Sequence, residues 1–399
     1  MEEAAVVIVG AGPAGLATSA CLNKLFIPNI VLERDDSHSS LWKKRTYDRL
    51  KLHLGKEFCN LPHTPFPRSA PTFVPRIEFL RYLDNYVSRF NIIIRCNRSV
   101  ESASLESNGR WKIIAKDTSS NATEVYIASF LVVATGENSS GYIPKVTGLD
   151  AYGGEYLHCN KYLNGRKWYG KNVLVVGCGN SGMEIAYDLS NWGVNASIVV
   201  RHPVHILTKE MVYVGMHLLK FLPVKVVDII ILMMCILMYR NLSKYGLRRP
   251  KEGPFFLKGK TGHSPTIDVG CVPKIKKGEI KVFPGVSNIK DKIVEFDDGR
   301  QEQFDAIIFA TGYRSTVLKW LKDYKLLFDE NGMPKQRPPN HWKGESGIYC
   351  AGFSRQGLAG ISQDAQRIAN DIHLGIVSRI PPTLAPVKEM EEIVMAKNM

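Results

Sequence analysis

Two glycine clusters with the same spacing are the residues of this chain that most clearly predict chemistry. They are GAGPAG at residues 10–15 and GCGNSG at residues 177–182. Glycines in this pattern let the backbone turn tightly and approach the pyrophosphate of a dinucleotide, which the positive N-terminus of the next helix then holds. A single GxGxxG is a weak signal, because such a turn also occurs without a function. Its repetition favours two dinucleotide sites in one chain.

Each cluster needs a strand before it and a helix after it. The apolar run at residues 6–9 precedes the first cluster, and a stretch of helical character from Ala14 to Leu25 follows it. The run at residues 172–176 precedes the second cluster, whose helix can end at Gly193. Strand, glycines and helix in this order form the start of a βαβ unit. We therefore predict an α/β fold with two Rossmann-like dinucleotide-binding domains.

The residues expected at the two ribose positions differ in charge. Glu33 ends the strand after the first cluster, 18 residues beyond Gly15, whereas Arg201 stands 19 residues beyond Gly182. An acid at this place accepts a hydrogen bond from a ribose 2′-OH and repels a 2′-phosphate, while a guanidinium can pair with that phosphate. The first site should therefore bind FAD or NAD, and the second NADP(H). Hydride transfer from a nicotinamide to a flavin would explain why one chain carries both sites.

Two matched segments, FLVVATGEN and AIIFATGYRS, flank the second cluster and end near Asn138 and Ser315. They are typical of the two crossings between a flavin domain and a domain inserted into it. A later segment, GIYCAGFSRQGLAGISQDA, again has the order strand, glycine-rich turn and helix, and this helix should begin near Ile361 and face the flavin. The predicted parts are the first part of the FAD-binding domain at 1–145, the NADPH-binding domain at 146–309, and the second part of the FAD-binding domain with a C-terminal tail at 310–399.

Composition limits the class of protein. A chain of 399 residues can bury about two cores without metal or disulfide staples. Its eight cysteines include no CxxC pair, so we expect reduced thiols and neither a zinc site nor a dithiol redox centre. The first strand starts by residue 5, which leaves no room for a signal peptide and predicts a cytoplasmic protein. The net charge of +14 is spread without a nucleic-acid module, and therefore favours anionic cofactors and an anionic small-molecule substrate over nucleic acid.

The stretch YGGEYLHCNKY, with Gly154, His158 and Tyr162, resembles the FxGxxxHxxxY sequence of flavin-containing monooxygenases, with Tyr152 in place of Phe. More narrowly, ERDDSHSSLWKKRTYDRLKLHLGKEFCNLPHTPFP, ATGEN, VVRHPVHILTKE and ATGYRSTV are similar to the plant YUCCA family of indole-3-pyruvate monooxygenases. The resemblance extends from about residue 5 to residue 378. It implies that NADPH reduces FAD, that oxygen forms a C4a-(hydro)peroxyflavin, and that oxidative decarboxylation of indole-3-pyruvate yields indole-3-acetate, the auxin. It implies no metal centre.

The candidate site residues follow from the motifs and the resemblance. Catalytic residues stay unknown, with His53, Arg45 and Lys56 as weak candidates. His53 stands where general flavin-containing monooxygenases carry an Asn in a TNxxKE-like segment, and a structural role is its alternative. Arg45, Arg49 and Lys51 are candidates for contact with a substrate carboxylate, and His158 is expected to pack between the domains. The candidate cofactor residues are Gly10, Ala11, Gly12, Pro13, Ala14, Gly15, Glu33 and Trp42 for FAD, and Gly177, Cys178, Gly179, Asn180, Ser181, Gly182 and Arg201 for NADPH.

Other functions stay open at this point. An S/N-oxygenating or Baeyer-Villiger monooxygenase would carry both glycine clusters, although the Baeyer-Villiger type typically has Trp-Pro after the HxxxY position, where Leu163 follows Tyr162 here. Other aromatic 2-keto acids, phenylpyruvate included, are alternative substrates. A disulfide reductase would need a CxxC or CxxxxC pair, which the sequence lacks. A nucleotide-sensing protein without activity would lack bound flavin.

Residues 224–239, VKVVDIIILMMCILMY, are unusually apolar, and Arg240, Lys244, Arg248 and Arg249 follow them. They predict either a buried helix or a helix in peripheral contact with a membrane, such as the cytosolic face of the endoplasmic reticulum. Their uncharged part, residues 229–239, is shorter than the roughly 20 residues needed to span a bilayer. The oligomeric state is left open.

Overall fold

The computed structural model describes residues 1–378, and the chain opens with a sheet and three helices that we call the first unit. The β-branched runs of the sequence form its strands, because such side chains suit a pleated, packed surface. Helices α1 to α3 span Pro13–Lys24, Ser40–Lys44 and Arg76–Arg89. Strands β1 to β7 span Glu2–Val9, Asn29–Leu32, Ile94–Arg95, Arg98–Leu105, Trp111–Asp117, Thr123–Val133 and Ser140–Gly141.

The sheet of the first unit is parallel on one side and antiparallel on the other. Its strand order is β3-β2-β1-β6-β5-β4. Strands β3, β2, β1 and β6 are parallel, whereas β5 and β4 extend the sheet by antiparallel pairing. The carboxyl ends of the parallel strands therefore meet at one edge, where α1 begins after β1.

The middle of the chain forms a second sheet with its own helices, which we call the second unit. Strands β8 to β10 span Glu155–His158, Asn172–Val176 and Asn195–Val199, and β11 to β13 span Ile206–Leu207, Thr266–Ile267 and Ile280–Phe283. Strands β14 to β17 span Val286–Lys290, Ile293–Phe296, Gln301–Gln303 and Ala306–Phe309. Helices α4 to α8 span Asn180–Asn191, Lys209–Leu218, Val224–Tyr239, Pro254–Thr261 and Cys271–Lys276.

The main sheet of the second unit is entirely parallel, with the order β13-β10-β9-β17-β8. Strands β9 and β10 are joined by α4, so this unit repeats the strand, helix and strand order of the first. Strands β14, β15 and β16 form a separate antiparallel sheet. Both predicted Rossmann-like arrangements are thereby confirmed, as is the α/β fold class.

The chain then returns to the first unit. Strand β18, Tyr313–Arg314, pairs antiparallel with β7, so the two crossings between the units lie side by side. Strand β19, Ile348–Cys350, adds to β6 in parallel, and helix α9, Gly357–Val377, packs on α1. The predicted boundaries at 145/146 and 309/310 stay predictions, although they separate the two sheets. The part of the predicted tail beyond residue 378 lies outside the described residues.

Helix α9 begins at Gly357 rather than near Ile361, so the predicted start was four residues too late. Gly357 has a φ of +63°, a conformation that glycine adopts at low cost, and the chain turns into the helix there, within the glycine-rich stretch. Ile361 lies one turn inside the helix.

Candidate active site

The first glycine turn is shaped by contacts that leave no room for side chains at two of its three glycines. A Cβ on Gly15 would lie 1.9 Å from the carbonyl oxygen of Gly10. Gly10 has a φ of +107°, and a Cβ there would lie 2.6 Å from the carbonyl oxygen of Ala134. At Gly12, by contrast, a Cβ would meet nothing within 4 Å. Packing within the protein requires glycine at positions 10 and 15. The space beside Gly12 is not filled by the described part of the protein and is open to a ligand.

That space is part of a cavity of about 570 Å³ at the carboxyl edge of the parallel strands. The size falls in the range of small-molecule and cofactor sites. Six of the eight predicted FAD residues line it, whereas Ala11 and Gly15 do not. The six lining residues are Gly10, Gly12, Pro13, Ala14, Glu33 and Trp42.

The chemistry of this cavity fits FAD. Helix α1 follows its N-cap residue, Gly12, without a side-chain cap, so N–H groups that follow Pro13 in its first turn are free to bind a pyrophosphate. The buried hydroxyl of Thr135, which lines the cavity, has no hydrogen-bond partner in residues 1–378. A buried hydroxyl without a partner is costly, so a ligand atom that hydrogen-bonds with it would be stabilising.

Glu33 is fixed at the end of the cavity where a ribose is expected. Its carboxylate accepts the N–H of Ala11 at 2.8 Å and the N–H of Asp35 at 3.0 Å. The side chain is buried, and this burial raises the pKa of Glu33 above its usual range. Arg45 also lines the cavity, where its guanidinium binds both carboxylate oxygens of Asp35 at 2.9 and 2.8 Å.

The second glycine turn repeats the geometry of the first. A Cβ on Gly182 would lie 1.9 Å from the carbonyl oxygen of Gly177, and one on Gly177, at a φ of +115°, would lie 2.5 Å from that of Ala310. At Gly179 a Cβ would again meet nothing within 4 Å. Helix α4 also starts without a side-chain cap. These features fit a dinucleotide pyrophosphate as well as those of the first turn do.

Arg201 lies two residues beyond β10 and is exposed. Its only hydrogen bond within residues 1–378 is from Nε to the neighbouring His202, at 2.9 Å, so the rest of the guanidinium is free for a ligand. Cys178 and Asn180 face the protein instead. The Cys178 carbonyl accepts the Thr266 hydroxyl at 2.8 Å, burial raises the pKa of the Cys178 thiol to about 12, and Asn180 Oδ1 accepts the N–H of Ile267 at 2.8 Å.

Side chains of the first unit reach across to the start of α4. His53 Nδ1 lies 3.2 Å from the amide nitrogen of Asn180, and its Nε2 lies 3.0 Å from a carboxylate oxygen of the buried Glu184. A neutral imidazole with its proton on Nε2 satisfies both contacts. The buried hydroxyl of Tyr47 interacts with Ser181 and Glu184 on the same helix, and burial raises the pKa of Tyr47 well above its usual value.

Comparison with known proteins decides the family. A family profile described as "Flavin-binding monooxygenase-like" matches residues 3–327. The "Probable indole-3-pyruvate monooxygenase YUCCA10" of Arabidopsis thaliana is 55% identical over 372 residues, which cover 93% of this chain and 97% of that protein. The "Indole-3-pyruvate monooxygenase YUCCA6" of the same plant is 46% identical, with 92% and 89% covered. The chain belongs to the YUCCA group of the flavin-binding monooxygenase-like family.

The protein is therefore a flavin-dependent monooxygenase, which confirms the predicted family, the predicted enzyme class and the prediction of a flavin cofactor. Solved structures agree in fold. A flavin-containing monooxygenase from Stenotrophomonas maltophilia superposes with a TM-score of 0.71 at 19% identity and covers 94% of this chain and 100% of its own. OTEMO in complex with FAD and NADP has a TM-score of 0.71 at 14% identity, with 94% and 85% covered.

The motif that carries the likeness to flavin-containing monooxygenases is built into the crossing between the units. The His158 Nε2 donates to the carbonyl of Gly312 at 2.9 Å, and its Nδ1 accepts the N–H of Asn160 at 3.2 Å. Tyr162 stacks on Trp168 and donates its hydroxyl to Asp188 at 2.6 Å. Both side chains are buried and bonded within the protein, so they join strands and helices rather than face a ligand.

Lys56 is occupied by the loop next to it. Its ammonium donates to the carbonyls of Pro67, Arg68 and Ala70 at 3.2, 2.8 and 2.5 Å. Three carbonyl acceptors match the three donors of a lysine ammonium, so Lys56 has no donor left for a substrate. The structure thus places Lys56 as a support for the loop at residues 67–70.

A half-buried lysine that the sequence did not single out lies near His53. Lys209 starts α5, and burial lowers its pKa, while its electrostatic neighbours are Glu184, Lys51 and Arg49. No hydrogen bond or ion pair involves its ammonium within residues 1–378, although it lies 5.6 Å from the Phe73 ring. In the sequence, the only indication of a role for Lys209 is that it belongs to the family-like segment VVRHPVHILTKE.

Further residues that line the cavity at the first glycine turn come from the turn after β6, from the segment between β18 and β19, and from the start of α9. The sequence predicted that the start of α9 faces the flavin, whereas it gave no signal for Trp320. Arg355 approaches Glu137 to 3.7 Å there, and burial raises the pKa of Glu137. The cavity is lined by Thr135, Glu137, Asn138, Trp320, Arg355, Leu358 and Ile361, among others.

Proposed function

We propose that this protein is an indole-3-pyruvate monooxygenase. The reaction consumes indole-3-pyruvate, O2, NADPH and one proton, and gives indole-3-acetate, CO2, water and NADP+, so that one oxygen atom of O2 enters the new carboxylate and the other becomes water. The assignment of this substrate rests on sequence identity to relatives that are named indole-3-pyruvate monooxygenases. Two of them are 55% and 46% identical over about nine-tenths of the chain. An S- or N-oxygenation has no comparable support.

The first unit would hold FAD, which when bound and reduced supplies the electrons that activate oxygen. The backbone at Gly12 and the first turn of α1 would bind the pyrophosphate, and Glu33 would accept the ribose hydroxyl. The unpaired hydroxyl of Thr135 and the side chain of Trp42 would contact the rest of the group from the cavity wall.

The second unit would hold NADPH. The backbone from Gly177 to Gly182, with the first turn of α4, would bind the pyrophosphate. The Arg201 guanidinium, of which only Nε is bonded within the described residues, would pair with the 2′-phosphate. Cys178 and Asn180 would contribute their backbone, because their side chains face the protein. Ser181 lies on the side of α4 that meets Tyr47.

The carboxylate of a 2-keto acid needs a cation where the two units meet. Lys209 is the best candidate, since its ammonium is half-buried and unpaired within the described residues, with Arg49 and Lys51 nearby. Partial burial strengthens an ion pair relative to one in water. Arg45 and Lys56 are already bonded to Asp35 and to the loop carbonyls, so we assign them structural roles. His53 would hold the start of α4 in place.

The experiment that tests this function measures products from the purified holoenzyme with NADPH and O2. Indole-3-pyruvate, phenylpyruvate and a thioether are supplied in turn. We expect indole-3-acetate in a ratio of one to one with the NADPH consumed, and one labelled carboxylate oxygen when O2 is labelled. Hydrogen peroxide without the acid would overturn the substrate, and a faster reaction with phenylpyruvate would change the substrate to another aromatic 2-keto acid. A sulfoxide as main product would overturn the reaction type.

A matched pair of variants tests the carboxylate site. Lys209→Ala should raise the Michaelis constant for indole-3-pyruvate by roughly tenfold or more, since a charge-assisted hydrogen bond contributes about 1.5–3 kcal/mol. Lys290→Ala removes an exposed lysine of β14 and should leave this constant unchanged. Equal effects of the two substitutions would contradict the assignment of Lys209.

Within residues 1–378 no helix combines the length and the apolar character that crossing a membrane requires. We propose a cytoplasmic location for the protein. The peripheral membrane contact predicted for residues 224–239 is a separate proposal, and the next subsection argues it.

A further inference from the structure

Helix α6 leaves much of its apolar surface uncovered. It buries Val227, Ile231, Cys235 and Tyr239, one residue in every turn, against the second unit. The opposite side is apolar as well, and the turn before the helix adds Phe221, which is 83% exposed. Leu237 is 82% exposed. The other large apolar side chains exposed on the helix are Val224, Val226, Ile229, Met233, Ile236 and Met238. We call this the α6 surface.

A contiguous apolar surface of this kind marks a contact with another molecule or with a membrane. Single exposed apolar residues are common, but here they recur along one helix of 16 residues. The sequence left open a buried helix or a helix in peripheral contact with a membrane, and the structure shows that only one side of α6 is buried. One side of α6 packs against the second unit, and the other side is exposed to solvent.

The exposed charges of the segment that contains α6, residues 220–251, are all positive. Residues 220–251 contain seven lysines and arginines and a single acid, Asp228. Asp228 is buried, and its carboxylate accepts the N–H groups of Phe255 and Phe256 at 2.8 and 3.0 Å. No exposed carboxylate of this segment therefore offsets its cations, which are Lys220, Lys225, Arg240, Lys244, Arg248, Arg249 and Lys251.

A cavity of about 370 Å³ opens at the C-terminal end of α6 and combines both features. Arg240 and Arg249 line it, together with apolar residues that include Ile236 and Leu242. Neither guanidinium has a hydrogen bond or an ion pair to another side chain in the part of the chain that the structure describes. Two unpaired guanidinium groups beside apolar walls suit a phosphate that is attached to a hydrocarbon chain.

We propose that the α6 surface docks on the surface of an anionic lipid bilayer, with Arg240 and Arg249 on lipid phosphates. The positive rim is complementary to an anionic leaflet, and the apolar side chains would enter the boundary between headgroups and acyl chains. A second copy of this chain would bring the same positive rim and be repelled. The helix would lie in the plane of the membrane, since it is too short to cross one.

Vesicle flotation of the purified holoenzyme tests this proposal. One set of vesicles is phosphatidylcholine alone, and the other contains phosphatidylserine at roughly one lipid in four. We expect binding to the anionic vesicles that weakens as salt is raised. Arg240→Ala combined with Arg249→Ala should weaken this binding roughly thirtyfold, at about 1 kcal/mol for each basic residue near the surface. Leu237→Glu should abolish it, because a charge would have to enter the acyl boundary.

Matched control variants make the same kinds of change, loss of two cations or gain of a charge at an exposed leucine, outside the α6 surface. Lys290→Ala with Lys322→Ala removes two exposed cations from outside residues 220–251, and Leu374→Glu places a charge on an exposed leucine of α9. These controls should float with the anionic vesicles as the unaltered protein does. NADPH consumption in solution should be the same in all variants, so a failure here is distinct from a failure of the proposed reaction.

Three outcomes would overturn the proposal. One is no flotation with anionic vesicles at low salt. Another is equal flotation of the Arg240/Arg249 double variant, the Leu237→Glu variant and the controls. The third is a dimer of the unaltered protein in light scattering that Leu237→Glu splits into monomers, because the α6 surface would then be an interface between two copies of the chain.

Discussion

The two glycine turns have the same backbone and very different surroundings. The clashes that a Cβ would make at Gly10 and at Gly177 differ by only 0.1 Å, 2.6 against 2.5 Å, and both turns leave the middle glycine open. The first turn lies in a cavity of about 570 Å³ with a buried acid, Glu33, whereas the second has an exposed arginine, Arg201. We propose that each turn binds the pyrophosphate of a dinucleotide, and that the residues around the turn select between FAD and NADPH.

The walls of the first site come from distant parts of the chain. Residues near Thr135, Trp320 and Leu358 line the cavity together with the first turn, so a flavin held there would contact several segments at once. Arg201 is exposed, which suits a nicotinamide cofactor that must bind and leave in each turnover. The contrast predicts that a loss of ligand contacts at the first turn lowers the flavin content of the protein, whereas a loss of ligand contacts at the second turn lowers only its use of NADPH.

The largest effects should come from the third glycine of each turn. Gly15→Ala and Gly182→Ala each place a Cβ 1.9 Å from a backbone oxygen. A backbone must shift to relieve this contact, so we expect a loss of about 3 kcal/mol or more in the free energy of unfolding, measured by urea denaturation. A variant as stable as the original protein would show that the two turns are less constrained than their geometry indicates.

The middle glycines should separate cofactor binding from stability. Gly12→Ala adds a methyl group that only a ligand would meet, so the apoprotein should stay as stable while its affinity for FAD falls roughly tenfold to a hundredfold. Gly179→Ala should keep the flavin and raise the Michaelis constant for NADPH. Flavin content and thermal unfolding measure both effects. Gly259→Ala is the control, because its Cβ also meets nothing within 4 Å but lies in α7, away from both turns.

Arg201 should discriminate between the two nicotinamide cofactors. Arg201→Glu replaces a phosphate ligand by a repelling charge, so the Michaelis constant for NADPH should rise by roughly a hundredfold. That for NADH, which has no 2′-phosphate, should change by less than about threefold. Steady-state oxidation of the two cofactors measures this ratio. An equal change in the two Michaelis constants would contradict the proposal that Arg201 binds the 2′-phosphate of NADPH.

The smallest effect concerns the crossing that joins the two units. Burial lowers the pKa of His158 in the folded protein, so as the pH falls past about 6.5 the unfolded chain takes up a proton that the folded chain does not. Stability contributed by the neutral ring is therefore present above this pH and lost below it, by at most about 1.4 kcal/mol per pH unit. His158→Gln should reduce the acid sensitivity of the urea midpoint, and an unchanged pH profile would contradict this role.

The sequence predicted those parts of the site that depend on neighbours along the chain. The glycines, Glu33 and Arg201 belong to βαβ units whose order can be read locally. The glycines occupy equivalent positions in the two turns, whereas Arg201 lies one residue beyond Val200, the counterpart of Glu33 in the strand register. The contact of His53 with Glu184 joins residues that are 131 positions apart in the sequence. The charged groups around Lys209 likewise come from both units, so its surroundings exist only in the folded protein. No local pattern encodes such a meeting point, so sequence analysis could not assign roles there.

For helix α6 the sequence predicted the bounds of the helix but not which of its sides is buried. Its bounds, Val224–Tyr239, coincide with the apolar run, because the run is long and ends at a charge. Which side is buried could not be predicted, since an amphipathic pattern is needed to tell the sides apart and this helix is apolar almost all round. Only the packing of Val227 and Ile231 against the second unit reveals that Ile229 and Leu237 face outward.

The most direct test of two complementary sites in one chain is anaerobic reduction of the flavin that remains bound through purification. Mixing the protein with NADPH in a stopped-flow instrument gives the rate of flavin bleaching. The account predicts one NADPH consumed for each flavin reduced, a rate that saturates with NADPH and does not depend on protein concentration, and much weaker saturation with NADH. A protein without bound flavin, or reduction that is second-order in protein and equal for the two cofactors, would contradict it.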